Sequence, residues 1–60
     1  MRMKTMAPET FKAHRLAMGL TQSAMAKLLG LSMRQVIRYE MGHSVIPNPV
    51  GILLEFLDLN

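Results

Sequence analysis

Sixty residues without a cysteine make one domain, which neither a disulfide framework nor a zinc finger can staple. Half of the residues are apolar, which argues against a disordered chain. A chain this short buries only about 60% of the surface its unfolded form exposes, so it needs efficient helix packing or a partner subunit.

The charge is unevenly placed. All seven basic residues (Arg2, Lys4, Lys12, Arg15, Lys27, Arg34 and Arg38) lie before residue 39. Before residue 48 they face only Glu9 and Glu40, whereas the segment from Asn48 onward carries Glu55 and Asp58 and no base. That polarity suits a polyanion on one side and a different contact at the C-terminal end. Arg2 and Lys4 are followed by no apolar run, so Met1–Met6 does not read as a secretory signal. Gly51, Glu55 and Asp58 interrupt the apolar C-terminal stretch, which falls far short of a membrane span. The expected location is the cytoplasm.

In chain order, residues 1–7 read as a flexible N-terminal arm, with a short edge strand over Met1–Met6 as the less favoured alternative. Pro8 suits the first position of a helix, where its missing N–H costs nothing. Phe11, Arg15 and Met18 share a face of that helix, and Gly19 ends it. Thr21 caps a second helix whose Met25, Ala26 and Leu29 are spaced for the core, and Gly30 breaks it. Ser32-Met33-Arg34-Gln35 has the form of a capping box and opens a third helix, which Gly42 ends. Asn48-Pro49 reads as a cap followed by proline at the first helical position, starting a fourth helix over residues 49–59. The fold class is therefore all-α, with four helices in a single domain over residues 1–60.

Two short helices joined by a tight glycine turn, the second capped by serine and rich in arginine, form a helix-turn-helix over residues 22–41. In such a unit the first helix crosses the phosphate backbone while the second lies in the major groove, so the two must approach closely. Ala26 permits that approach. Helical periodicity then points Val36 and Tyr39 inward and Met33, Arg34, Ile37 and Arg38 outward. Arg34 and Arg38 each offer a fork of donors for guanine O6 and N7, worth about 1–3 kcal/mol of discrimination. Met33 and Ile37 are suited to thymine methyl groups or sugars. Gln35 has the chemistry for adenine, although a capping box would give it a local task. His43, just past Gly42, is a candidate phosphate contact.

The run from Leu20 to Gly42, with its pattern Leu20-Thr21-Gln22, Ala26, Leu28-Leu29-Gly30, Ser32, Val36, Tyr39-Glu40 and Gly42, resembles the Cro/CI-type (XRE-like) helix-turn-helix family. The resemblance covers roughly Pro8 to Leu57. It implies a compact four-helix lambda-repressor-like DNA-binding domain. It also implies that Gln22 touches a phosphate and braces the recognition helix, and that Ser32, Met33, Arg34 and Arg38 face the operator. The family pairs an arginine of its first helix with the glutamate ending its third, which falls here on Arg15 and Glu40. His14 stands where the family usually has an aliphatic residue. With only His43 beside it and no cysteine, a hydrogen-bonded structural role is expected rather than a metal site. Of the seven methionines, Met18 and Met25 fit core positions.

On the fourth helix Gly51, Glu55 and Asp58 form one polar stripe, and apolar residues cover nearly all the remainder. A helix packed on a single core needs a narrower apolar face. The absence of bases disfavours a membrane surface. A homodimer interface of Val50, Leu53, Leu54, Phe56 and Leu57 is therefore expected. The implied function is a sequence-specific, homodimeric repressor of a near-palindromic double-stranded operator, like compact phage, mobile-element or antitoxin autoregulators. The alternative is a protein-interaction module that keeps the fold without reading DNA. No catalytic constellation, cofactor motif or metal-ligand cluster is present, so an enzyme is not expected.

Overall fold

In the computed structural model, which describes residues 5–59, four helices follow one another: α1 (Pro8–Ala17), α2 (Gln22–Leu29), α3 (Met33–Glu40) and α4 (Asn48–Asp58). α3 packs on both α2 and α1, and α4 packs on α1. The core between them holds Phe11, Met25, Ala26, Val36, Tyr39, Ile46 and Leu54, with Met18, Leu20, Leu29, Leu31 and Val50 packed around it. Phe11 of α1 meets Tyr39 of α3 edge-on, with ring centroids 5.5 Å apart. That is a favoured aromatic geometry, so it fixes the angle between the two helices as well as burying area.

The helix boundaries follow local chemistry. Pro8 takes the first position of α1. The Thr21 hydroxyl accepts from the Ala24 N–H at 3.0 Å, and the Ser32 hydroxyl accepts from the Gln35 N–H at 3.1 Å. Each cap satisfies a backbone donor that a helix start would otherwise leave open. α2 ends where Gly30 enters the left-handed region at φ 72°, allowing Leu31 N–H to reach back to the Ala26 carbonyl at 2.8 Å. Only Gly30, Leu31 and Ser32 then separate α2 from α3. Buried Ala26 has no bulk to hold the two helices apart.

Three features differ from the sequence-based expectation. α4 starts one residue early: Pro47, not Asn48, is its cap, and no side chain caps it. The Val50 and Gly51 N–H groups that an Asn48 side chain would serve already donate to the Pro47 carbonyl, at 3.0 and 3.1 Å. The arm is not free at its end, because Met6 forms an antiparallel bridge with buried Ile46 and packs against the core. The earlier part of that arm, residues 1–4, lies outside the described residues.

The third difference is the rotation of α4. Gly51 and Asp58, expected on a solvated stripe with Glu55, turn inward instead. Gly51 is buried, and a Cβ there would lie 3.4 Å from the Met6 Cβ, so the missing side chain makes room for the N-terminal segment. Asp58 reaches His14 of α1, with Oδ2 2.6 Å from Nδ1. The expected structural role of His14 thus has a partner: it ties the last turn of α1 to the end of α4. α4 has no base of its own in its last turn, so a carboxylate there opposes the helix dipole unless another element answers it.

Candidate nucleic-acid interface

α3 is held at both ends. At its start, Ser32 caps it from extended backbone, while the reciprocal half of the capping box, a Gln35 side-chain bond to the Ser32 N–H, is not formed. The Gln35 carboxamide is therefore not spent on the cap. At its end, Glu40 receives Arg15 Nε on Oε2 at 2.6 Å and Arg15 Nη2 on Oε1 at 3.1 Å. Gln22 Nε2 adds a third bond, to Oε1 at 3.2 Å, and Arg15 Nη1 donates to the Leu20 carbonyl at 2.9 Å. One network thus joins α1, the turn after it, the first residue of α2 and the last residue of α3.

The Arg15 and Glu40 side chains are only 9% and 5% exposed. Burial pushes the Glu40 carboxyl up, but the Arg15 and Gln22 hydrogen bonds and the charges of Arg15 and Lys12 outweigh it and hold it below its ordinary value of 4.5. Glu40 sits at the negative end of α3, where a lone carboxylate is unfavourable. The bidentate arginine makes it tolerable there.

With its inner face fixed by Val36, Tyr39 and Glu40, α3 presents Met33, Arg34 and Arg38 to the outside. Met33 is half exposed at 50% and both arginines are exposed. Ile37 and Gln35 are partly buried, so Ile37 is less prominent on this surface than its place in the stripe predicts. Ser32 and His43 are exposed at opposite ends of the helix. Gln22 reaches the last residue of α3 through its bond to Glu40, a partner that the sequence did not name. Ser44 has no counterpart among the residues expected from sequence: its hydroxyl accepts from Arg38 Nε at 3.1 Å. Nothing in a lone serine four residues past the helix marks such a bond.

Comparison with known families decides what this arrangement belongs to. Residues 11–55 match the helix-turn-helix family model HTH_3 of the Cro/C1 type, a span from Phe11 through the recognition helix into α4. The chain belongs to the Cro/CI-type helix-turn-helix family. Members of this XRE-like family are DNA-binding transcriptional regulators, and the four helices have its all-α, lambda-repressor-like fold. No curated protein and no solved structure matches the chain significantly. Among the described residues, no helix is long and apolar enough to cross a membrane.

The predicted interface on α4 divides in two. Leu54 is fully buried in the chain's own core and Val50 packs against that core, so neither is presented to a partner. Leu57 is partly buried. Leu53 and Phe56 are exposed as expected, at 44% and 63%, and Ile52 and Leu59 join them at 55% and 86%. The inward turn of Gly51 and Asp58 accounts for the exchange. It rotates Ile52 and Leu59 out and Val50 and Leu54 in.

Proposed function

We propose that this XRE-like protein is a homodimeric repressor that occupies a near-palindromic operator in the cytoplasm. Each α3 would lie in the major groove, in the manner of compact phage, mobile-element and antitoxin autoregulators. The observation that carries the reading is the outward surface of α3. Two arginines and a methionine stand exposed on a helix whose two ends are fixed by a serine cap and a buried ion pair. Rigid presentation matters because groove contacts are directional, and each bidentate contact is worth about 1–3 kcal/mol only when held in place. Gln22, Ser32, Gln35 and His43 would supply further phosphate or base contacts at the two ends.

The exposed apolar side chains Ile52, Leu53 and Phe56 on α4, and Leu59 just past its end, support the homodimer. Two-fold symmetry sets two recognition helices about one DNA turn apart, roughly 34 Å, and gives the operator its near-palindromic form. Selection of bound duplexes from a random DNA library tests the proposal. The expected result is a two-fold-symmetric consensus whose affinity falls steeply with salt, because phosphate contacts release counterions. Enrichment no better than random would instead put the chain among modules that keep this fold for protein contacts.

A further inference from the structure

The two arginines of the α3 surface are not equivalent. Arg38 is tethered: its Nε donates to the hydroxyl of Ser44, which lies beyond the C-terminal end of the helix. Long helical side chains ordinarily lean toward the helix N-terminus. Arg38 is drawn the other way, into the turn formed by Gly42, His43 and Ser44, whose backbone is itself tied down by the His43 N–H bond to the Arg38 carbonyl at 2.9 Å. Among the described residues none tethers Arg34 in this way, and it stands exposed in the first turn of α3.

The donors left at this end define the ligand. With Nε engaged, the guanidinium still offers the four N–H bonds of Nη1 and Nη2. Ser44 uses its oxygen as the acceptor, so its own proton remains to be donated. A cluster of donors carrying positive charge matches a phosphodiester oxygen, as it also matches guanine O6 and N7, so the tether and its place on the helix decide between them. Location separates the two. In helix-turn-helix docking, base edges are met by the N-terminal residues of the recognition helix, and in the homeodomain variant the C-terminal end of that helix meets the backbone.

We infer that Arg38 and Ser44 form a phosphate clamp at the C-terminal end of α3, with Ser44 as the residue that positions Arg38, and that base reading rests on Arg34. This deepens the DNA-reading proposal and rests on it. The division matters for specificity, because a phosphate contact fixes register on the duplex without carrying sequence information.

The test measures binding of the full chain to its selected operator and to a scrambled duplex across a salt series. Arg38→Ala is expected to weaken both by the same factor and to lower the log–log salt slope by about 0.9 for each phosphate no longer neutralised. Ser44→Ala is expected to weaken both roughly three- to tenfold, and Ser44→Thr, which keeps the hydroxyl, to restore them. An Arg38→Ala protein that melts like the wild type but loses preference at one base position overturns the clamp, as does wild-type binding by Ser44→Ala. The scrambled duplex judges the clamp by itself. A wild-type chain that bound both duplexes equally would overturn the operator reading and leave the clamp to be decided by the slope.

Discussion

Replacing either Arg15 or Glu40 with methionine is expected to cost about 3–5 kcal/mol, because each change strands a charge in a site with little access to water. In a domain of this size that corresponds to a melting temperature at least about 12 °C lower. The double replacement should lose less than the sum of the two, since it removes both charges and leaves an apolar contact. Gln22 would keep one bond to Glu40 in the Arg15→Met protein but none to a methionine at position 40, so the two single variants need not be equal. Thermal melts of the three proteins decide it, and melting temperatures unchanged in both single variants would remove the pair from any structural role.

The same network gives the stability a defined pH dependence. The Glu40 carboxyl is held below its unfolded value of about 4.5, so the folded state favours its ionised form. Its contribution is complete above the unfolded value and is lost as pH falls through the lower, folded value. The gap between wild-type and Glu40→Met should therefore be full near neutrality and narrow in acid. Denaturant melts at pH 7 and in acid check the sign.

Replacing both Leu53 and Phe56 with glutamate is expected to leave a folded monomer that binds the operator about 10²–10⁴-fold more weakly, because a second half-site then contributes no local concentration. Both side chains are exposed on the single chain and lie outside its buried core. Sedimentation reports the mass and DNA titration the affinity. A dimer of unchanged stability would mean that α4 is not the contact between subunits. The α3 surface would remain intact in that variant, so weak, salt-sensitive binding to any duplex should persist.

Much of this fold could be read from punctuation in the sequence. Pro8, Thr21, Gly30 and Ser32 each act through a local backbone requirement, and three of the four helices lie where these residues put them. Asn48 fails as a cap because the Pro47 carbonyl already takes the two donors it would have served. The orientation of α4 was illegible for a different reason. A helical wheel assigns Gly51 and Asp58 to the polar side by residue type, but their surroundings come from distant parts of the chain: Met6 fills the space over Gly51, and His14 answers Asp58. Of the outward stripe that periodicity gave α3, Met33, Arg34 and Arg38 are exposed, whereas Ile37 is partly buried. The Arg15–Glu40 pair came only through the family pattern, and the Arg38–Ser44 bond came only from the structure.

If α3 reads sequence, Arg34→Ala should remove part of the reading. Wild-type and variant should be compared on the selected operator and on duplexes altered one base pair at a time. Arg34→Ala is expected to lose about 1–3 kcal/mol on the operator and to become indifferent to one base pair in each half-site, while binding to scrambled DNA changes little. An Arg34→Ala protein that kept the wild-type preference at every position would contradict that role for α3.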